Sequence, residues 1–394
     1  MSPPLTVMLV AGEASGDALG ARLAHVLRAR LGDDGVRFVG VGGQAMAREG
    51  LQSAFDIAET SVAGLIEGLA AYPRVVRRAD DTARLAAVEK PDIAVLIDSW
   101  GFTLRVARRL RRQNPALPLL KYVGPQVWAM RPGRAKTLAR TVDRLLAIHS
   151  FDVPYFEAAG LPTTFVGNSS LALDFAGADP MRLRGAIGAG PDEPILLVLL
   201  GSRPGEIKRL SPPFEDAVSR LVADRPTLRV VAPAADTVAE LVKSKLATWR
   251  TRVDVVEGQT LKFDAMKAAT VAIACSGTVT SELAMAGCPM VVAYRLAEVT
   301  YQVAWALLRQ KYITLINIAA GEAVAPELLQ HDCTGPKIAA ALAARLDDPA
   351  LRARQIAAQN AALQTMGRGG PDPAERAADV VIEMLRASRV GRSG

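Results

Sequence analysis

The chain has 394 residues, of which half are hydrophobic and 22% are charged. This length exceeds that of one ordinary core and this composition excludes global disorder, so two packed domains are expected. The formal net charge of +7 is typical of a solvated basic surface or of an anionic partner, such as a phosphorylated substrate or a membrane. Aromatic residues make up only 5% and do not interleave with basic ones, which disfavours nucleic acid as that partner.

Cysteine and histidine are few and scattered. Cys275, Cys288 and Cys333 lack paired spacing, which indicates a reducing compartment and disfavours a disulfide framework or a zinc site. The three histidines lie far apart, which disfavours a histidine-based metal site or triad. No signal-peptide pattern follows Met1, and no stretch approaches 18 uninterrupted apolar residues. A cytoplasmic protein is expected, with contact to a membrane surface left open.

Strand and helix patterns alternate along the first part of the chain. Helical spacing covers 17–31 and 102–112. Apolar strand patterns occur at 5–12, 36–43, 91–98, 117–124, 142–150 and 163–168. A stretch rich in Gly, Pro and Asp then interrupts the alternation at 168–194, and we interpret it as an interdomain connection.

The strand pattern resumes after this interruption. Further apolar strand patterns occur at 195–202, 228–235, 252–258, 271–277 and 289–295. Continuous apolar strands separated by helices predict parallel sheets covered on both faces. The sequence therefore predicts an α/β protein with two Rossmann-like doubly wound domains that face a cleft, where ligands bind at the carboxyl ends of the strands.

The turn after the first strand, Gly-Glu-Ala-Ser-Gly-Asp, looks like a phosphate-binding loop but carries no standard nucleotide signature. Ser15 is predicted to cap the following helix, and Gly16 would allow another group to approach the backbone closely. Glu13 and Asp17 would repel a phosphate, so a role towards sugar hydroxyls or the acceptor is favoured. A well-capped turn without a ligand is the alternative.

Asp98 ends the third predicted strand of the first half. A carboxylate at this place should project into the cleft, where partial desolvation would raise its basicity, as a general base requires. A helix-capping aspartate is the alternative. Trp100 and Phe102 beside it would line an apolar pocket or pack in the core.

Two loops of the second half are candidates for phosphate binding. Gly201 and Ser202 follow a strand, and Arg203 would stabilise a leaving diphosphate in the transition state. An arginine in a surface ion pair is the alternative for Arg203.

The second of these loops is at 276–278, where a helix should start. Its residues Ser276, Gly277 and Thr278 would bind a pyrophosphate, and Glu282 would bind ribose hydroxyls. A first-turn acid that complements the helix dipole is the alternative for Glu282.

Arg131 and Arg134 lead a cluster of four basic residues after a Pro-Gln-Val-Trp turn. They would contact an anionic acceptor or lipid head groups, or form a solvated helix face. The apolar segments 61–72 and 301–312 are predicted to be core helices, with acyl-chain binding or contact with a bilayer interface as the alternative.

Together these motifs resemble those of the lipid-A-disaccharide synthase family. They occur in the same order as in the family and cover nearly the whole chain. The motifs that carry the resemblance are AGEASGD, GVGG, YVGPQVWAMRPGR, FVG, GSRPGEIKRL, SGTVTSELAMAGCPMVVAY and AAGEAVAPELLQ. The resemblance implies a glycosyltransferase fold of the B type. Its acceptor domain would span 1–170, its UDP-sugar domain 171–365, and a C-terminal helix at 366–394 would pack back on the first domain.

The resemblance also implies the reaction. The family joins UDP-2,3-diacylglucosamine to 2,3-diacylglucosamine 1-phosphate, forms a β-1,6 disaccharide with inversion and releases UDP. It uses no metal and no cofactor. It works peripherally on the inner face of the bacterial inner membrane, in contact with anionic lipid, and dimers occur.

Residue by residue, the resemblance implies that Asp98 is the catalytic base and that Arg203 is the arginine of the phosphate loop. Substrate contacts are implied at the other positions that match family motifs, namely Glu13, Ser15, Gly16, Asp17, Gly43, Trp128, Arg131, Gly201, Ser202, Ser276, Gly277, Thr278, Glu282, Asn317, Glu322 and Gln330.

The chain departs from the family pattern at several positions. The second acid that often follows the base is missing after Asp98, and Asn168 stands where a histidine is usual. Leu200 and Ile316 replace prolines that are common before the phosphate-loop glycine and the downstream asparagine. Two alternatives therefore stay open: a transferase or epimerase that uses UDP-N-acetylglucosamine, and a non-catalytic lipid-binding paralogue.

Overall fold

The computed structural model describes residues 3–60, 65–297, 301–302 and 310–393. The chain divides into two units, each with its own parallel sheet. Unit 1 comprises residues 1–169 and 369–394, and unit 2 comprises residues 170–368. The predicted α/β fold with two parallel-sheet domains is confirmed.

Unit 1 contains a six-stranded parallel sheet with the order β2-β1-β3-β4-β5-β6. Its strands are β1 (Leu5–Ala11), β2 (Val36–Val41), β3 (Ile93–Ile97), β4 (Leu119–Tyr122), β5 (Arg144–Ala147) and β6 (Thr163–Phe165). The central strands are buried along their whole length because helices cover both faces of the sheet. All carboxyl ends lie at one edge, since every pair is parallel.

The helices of unit 1 follow the predicted amphipathic pattern, most clearly in α4, whose residues Phe102, Val106 and Leu110 are buried. The helices before residue 169 are α1 (Ala14–Leu31), α2 (Gln44–Arg48), α3 (Leu65–Glu89), α4 (Trp100–Gln113), α5 (Gly133–Ala139) and α6 (Val153–Glu157). Short 3-10 helices lie at Ile57–Glu59 and Ser150–Asp152, and another begins at Ser169.

Unit 2 contains a second six-stranded parallel sheet with the order β12-β11-β10-β7-β8-β9. Its strands are β7 (Ile195–Leu199), β8 (Arg229–Ala234), β9 (Asp254–Glu257), β10 (Val271–Ala274), β11 (Met290–Tyr294) and β12 (Glu327–Leu329). Its described helices are α7 (Pro180–Ile187), α8 (Pro204–Asp224), α9 (Ala239–Leu246), α10 (Gln259–Ala268), α11 (Thr278–Ala286), α12 (Leu315–Ala320), α13 (Gly335–Asp347) and α14 (Pro349–Thr365). A 3-10 helix lies at Asp236–Val238.

The stretch interpreted as an interdomain connection is instead structured within unit 2. It contains α7, whose residues Leu183 and Ile187 are buried in the same core as the inner residues of β7. Phe175 also joins this core and packs against Phe263 of α10, with ring centroids 4.5 Å apart. Most of the Gly and Pro residues that suggested a connection lie in the turns on either side of α7, while Pro180 starts the helix and Gly185 lies within it.

The C-terminal helix, α15 (Pro373–Ser393), packs against α1 in unit 1. Ala377, Ala378 and Val381 of this helix are fully buried in the core that also contains β1. Arg22 of α1 donates to Asp372 just before the helix at 2.8 Å. The chain therefore returns to its first unit, as the fold prediction required.

Two predicted apolar segments fall partly outside the described residues. Residues 61–64 and 303–309 are not described, so acyl-chain or bilayer contact at 61–72 and 301–312 stays a prediction. In the part of the chain that is described, no helix combines the length and the apolar character needed to cross a membrane.

Gly40 of β2 offers a test of the unit 1 sheet. Its φ is +135°, and an added Cβ would lie 2.0 Å from the carbonyl oxygen of Leu9 in β1. We expect Gly40→Ala to destabilise unit 1 by about 3 kcal/mol or more, because the backbone of β1 or β2 must move to make room for the new Cβ. Gly32→Ala is the matched control, with φ +84° but no atom within 4 Å of the new Cβ, and should cost about 1 kcal/mol. Calorimetric unfolding measures both, and equal losses would contradict the steric argument.

Candidate functional site

Backbone strain concentrates in the loops that leave the carboxyl ends of the strands. Six non-glycine residues in the described ranges have a positive φ, and five of them lie in such loops. These five are Asp98 and Ser99 after β3, Val123 and Arg131 after β4, and Gln330 after β12. Such backbone conformations cost free energy and cluster at functional sites. The strain therefore points to the edge where the sequence predicts ligand binding.

Asp98 and Ser99 form two successive left-handed residues, with φ of 45° and 40°. Ser99 occupies the N-cap position of α4 without a side-chain capping bond, so Asp98 is not the helix cap. The amide of Asp98 donates to the carbonyl of Tyr122 at 2.8 Å, and Thr103 Oγ1 donates to the carbonyl of Asp98 at 2.6 Å. The half-buried Asp98 carboxylate accepts no hydrogen bond from the described residues, so it is available to a ligand.

Glu13 lies beside Asp98 at the end of the neighbouring strand. Burial, and then the negative charge of Asp98, raise the pKa of Glu13. The loops also touch, because a Cβ at Gly12 would lie 2.6 Å from Ser99 Oγ. Glu13 takes the N-cap position of α1, whereas Ser15 lies exposed in the first turn, so the predicted capping by Ser15 is wrong. A second acid is thus present, supplied by the first loop instead of the residues after Asp98.

Asp17 and Gly43 are brought together, but in a contact within the protein. The buried carboxylate of Asp17 accepts hydrogen bonds from the amides of Gly43, Ala45 and Met46 at 2.7, 2.9 and 3.1 Å. Asp17 therefore holds the loop after β2, and a Cβ at Gly43 would lie 2.7 Å from its Oδ2. Gly16 is also buried, where α1 passes close to β1. These residues shape the edge of the sheet and do not present free groups to a ligand.

Trp128 is buried and its indole N–H donates to Asp152 Oδ1 at 2.9 Å. The ring of Phe151 lies edge-on to Trp128 and is stacked on His149, with centroids 5.4 and 4.9 Å apart. Burial raises the pKa of Asp152 to about 7 and lowers the pKa of His149 to about 4. Trp128 therefore anchors the loop that carries Arg131 and does not itself face solvent.

Arg131 and Arg134 form a cationic pair close to the Asp98 turn. The guanidinium of Arg134 lies over the ring of Trp100, 5.2 Å from its centroid. Burial, and then the positive charge of Arg131, lower the pKa of Arg134. Among the described residues neither arginine forms an ion pair. Two guanidinium groups without a protein carboxylate are suited to a phosphate.

Unit 2 contains a pocket of about 370 Å³ at the ends of β7 and β10. Seven of the residues that the sequence predicts as donor-binding line it: Gly201, Ser202, Arg203, Ser276, Gly277, Thr278 and Glu282. The helix predicted to start here begins at Thr278, after Gly277 with φ of 126°. The two loops were identified separately in the sequence, and the parallel pairing of β7 with β10 brings them together.

Two charged residues of the pocket lining, Lys262 and Glu206, were not singled out in the sequence. Lys262 Nζ lies 2.6 Å from Glu282 Oε2. Glu206, in the first turn of α8, accepts a hydrogen bond from the hydroxyl of Tyr294 at 3.0 Å, and burial followed by the charge of Glu206 raises the pKa of Tyr294 to about 12. An added Cβ at Gly201, where φ is +107°, would lie 2.6 Å from Glu206 Oε2. Glu206 belongs to the same motif as Arg203, whereas no local pattern marks Lys262 and Tyr294, because only the tertiary fold brings them to this part of the molecule.

Three residues predicted to contact substrate lie around β12. Asn317 is fully buried and bonds both the amide and the carbonyl of Ala325, at 2.9 and 2.8 Å. The side chain of Gln330 bonds the amide and the carbonyl of Leu296, at 3.0 and 3.2 Å. Glu322 is exposed. Asn317 and Gln330 thus fix loops of unit 2. Across the described ranges, His, Cys, Asp and Glu do not cluster in a way that could hold a metal ion.

The buried Asp152 gives a pH-dependent prediction. Its folded pKa of about 7 lies above the unfolded value of about 4, so the unfolded state releases this proton first as the pH rises. Asp152 therefore lowers stability progressively between about pH 4 and 7, by at most about 1.4 kcal/mol per pH unit. Asp152→Asn keeps an acceptor for Trp128 and removes the titration. We expect the melting temperature of Asp152→Asn, relative to the unsubstituted protein, to rise from pH 4.5 to about pH 8, and a pH-independent difference would contradict it.

The chain matches the family model described as lipid-A-disaccharide synthetase over residues 7–379. It is 41% identical over 382 residues to the lipid-A-disaccharide synthase of Rhodospirillum centenum, which covers 97% of this chain and 95% of that protein. It is 42% identical over 392 residues to that of Paramagnetospirillum magneticum, which covers 99% and 100%.

Two solved structures share the fold at low sequence identity. A UDP-GlcNAc 2-epimerase from Neisseria meningitidis has a TM-score of 0.56 at 13% identity, covering 97% of this chain and 100% of that chain. MurG from Acinetobacter baumannii has a TM-score of 0.55 at 16% identity, with the same coverage of 97% and 100%. Fold and full-length sequence similarity lead to one conclusion: the chain belongs to the lipid-A-disaccharide synthase family of glycosyltransferases.

Proposed function

We propose that this protein joins UDP-2,3-diacylglucosamine to 2,3-diacylglucosamine 1-phosphate, with release of UDP. The observation that carries the proposal is the 41–42% identity to lipid-A-disaccharide synthases over 97–99% of the chain. In this proposal residues 1–170 bind the acceptor, residues 171–365 bind the donor and residues 366–394 complete the acceptor domain. The reaction transfers a glucosamine unit with inversion and forms a β-1,6 bond.

The donor diphosphate is proposed to bind in the unit 2 pocket. Arg203 supports this role, because its side chain is 80% exposed and its nearest carboxylate, Glu206, is 3.6 Å away. The guanidinium is thus available to a diphosphate, whose charge increases as the glycosidic bond breaks. Glu282 would accept hydrogen bonds from the ribose hydroxyls, held in place by Lys262 at 2.6 Å.

The acceptor is proposed to bind at the carboxyl edge of unit 1. Asp98 would take the proton of the acceptor 6-hydroxyl, since its carboxylate is half-buried and accepts no hydrogen bond from the described residues. Arg131 and Arg134 would bind the 1-phosphate of the acceptor. Glu13 would accept a hydrogen bond from a sugar hydroxyl, consistent with its raised pKa and its place beside Asp98.

The proposed step balances in charge and atoms. The 6-oxygen of the acceptor attacks the anomeric carbon of the donor from the face opposite UDP. The bond between the anomeric carbon and the diphosphate oxygen breaks, and the electron pair leaves with UDP. The hydroxyl proton passes to Asp98, while Arg203 stabilises the departing diphosphate. No metal or cofactor takes part in this proposal.

The protein is further proposed to work in the cytoplasm at the inner face of the inner membrane. Both substrates carry acyl chains, and the net charge of +7 favours contact with an anionic surface. A homodimer is a possible assembly state in this proposal.

Substrate choice is tested by incubating the protein with the two diacylglucosamine substrates and following UDP and disaccharide by mass spectrometry. We expect both products. Turnover of non-acylated UDP-N-acetylglucosamine alone would favour the alternative transferase or epimerase, and acceptor binding without UDP release would favour a lipid-binding paralogue.

Asp98→Asn tests the base. We expect kcat to fall by about 10²- to 10⁴-fold, because the amide cannot accept the proton. The Kd for UDP should stay unchanged, since UDP is proposed to bind unit 2. Asp34→Asn, at an exposed aspartate of the same unit, is the control and should keep full activity. Wild-type turnover by Asp98→Asn would overturn the assignment.

Arg203→Ala tests the stabilisation of the leaving group. We expect kcat to fall by about 10²- to 10³-fold, because the charge on the diphosphate is greatest in the transition state. Arg250→Ala removes another exposed arginine of unit 2 and serves as the control. Steady-state kinetics compare the two variants, and a loss confined to KM would mean that Arg203 binds the ground state only.

A further inference from the structure

Lys121 is a buried lysine beneath the Asp98 turn. It lies in β4 and is 2% exposed, among the apolar residues between the sheet and α4. Its Nζ donates to the main-chain carbonyl of Asp98 and, at 2.8 Å, to Thr103 Oγ1. Among the described residues no carboxylate lies within 4.0 Å of this ammonium group. One hydrogen-bond partner is therefore the turn that presents Asp98, and the other is a residue of α4 whose hydroxyl bonds this same turn.

A lysine at this place is costly to the fold. Transfer of an ammonium group out of water carries a penalty of several kcal/mol, and lysine is seldom fully buried without a paired charge. Burial lowers the pKa of Lys121 to about 7, and the negative charge of Asp98 opposes this change. Thr103 already donates to the carbonyl of Asp98 at 2.6 Å. An apolar side chain of the same length would thus fill the space without leaving this carbonyl unpaired.

The turn itself needs support. Asp98 and Ser99 both have left-handed backbone conformations, which are strained for a residue with a Cβ. Lys121 and Thr103 converge on the carbonyl between these two residues. That peptide group orients the Asp98 side chain. Without the hydrogen bonds to this carbonyl, the Asp98 carboxylate would be free to point in another direction.

We propose that Lys121 is a positioning residue for the glycosyl transfer: it fixes the Asp98–Ser99 turn through the main-chain carbonyl of Asp98 and through Thr103. The inference rests on the proposed role of Asp98 as the base. Glu13 faces Asp98 from the loop after β1 with a negative charge, and Lys121 faces it from β4. Of the described titratable groups, Asp98 is the one whose charge raises the pKa of Lys121.

Lys121→Met is the principal test. We expect kcat to fall by about 100-fold, as for a displaced catalytic group, while the KM for the donor stays unchanged, since the donor is proposed to bind in unit 2. The Kd for UDP should not change either. The melting temperature should stay equal or rise, because an apolar residue replaces a buried ammonium group. A wild-type kcat would overturn the proposal, and so would a kcat loss that only mirrors a loss of folded protein.

Thr103→Val tests the support of the turn at its second contact. It keeps the lysine and removes the hydroxyl that bonds both Lys121 and the Asp98 carbonyl, so we expect a lower kcat with an unchanged Kd for UDP. The control is Thr82→Val, at another fully buried threonine whose hydroxyl donates to the carbonyl four residues earlier, in α3. Equal kcat values for the two threonine variants would contradict the support role.

Asp98→Asn is assayed in parallel to separate the two proposals. If Asp98→Asn keeps turnover, the assignment of the base has failed. If Asp98→Asn is inactive while Lys121→Met behaves as the unsubstituted protein, only the inference about Lys121 has failed.

Discussion

Unit 1 depends on the parallel pairing of β3 with β1 on one side and β4 on the other. Ile97 pairs with Ala11 and with Tyr122, so the strands end at the same level. Glu13, Asp98 and the side chain of Lys121 are thereby brought to one place, although they come from parts of the chain far apart in sequence. Hydrogen bonds from a neighbouring main-chain amide and a side-chain hydroxyl hold the loops at the ends of these strands. The amide of Asp98 donates to Tyr122, and Thr60 Oγ1 donates to the carbonyl of Gly12 at 3.0 Å.

Unit 2 uses the same strand arrangement with a different charge pattern. Its pocket contains positively and negatively charged side chains. Arg203 lies near the carboxylate of Glu206, and Lys262 lies near the carboxylate of Glu282. Arg203 is 80% exposed and Glu206 is buried, so the cation of this pair is open to solvent and the anion is enclosed by the protein. Glu206 is fixed further by Tyr294, at 3.0 Å. A buried carboxylate therefore defines the wall of the pocket, while the cation next to it remains available to a negatively charged ligand.

The sequence predicted most of the strands, because buried parallel strands are apolar runs, and it predicted which loops follow them. It placed Ser276–Thr278 at a helix start, which the structure confirms. It did not predict the partners of polar side chains. Asp17 bonds amides 26 to 29 residues away, and Asn317 bonds Ala325 across a turn. Lys121 was hidden inside an apolar strand pattern, where one lysine has no local signature.

Burial shifts the titratable groups at this edge towards their neutral forms. Asp152 and His149 lie among aromatic rings, and burial moves their pKa values to about 7 and about 4. Burial likewise lowers the pKa of Lys121 to about 7, although the charge of Asp98 opposes this change. Lys121 differs in what it bonds, because its Nζ donates to the main-chain carbonyl of the strained Asp98–Ser99 turn. Asp98 is partly exposed while Lys121 is not, so a ligand can reach the carboxylate, whereas the lysine acts on it only through the turn.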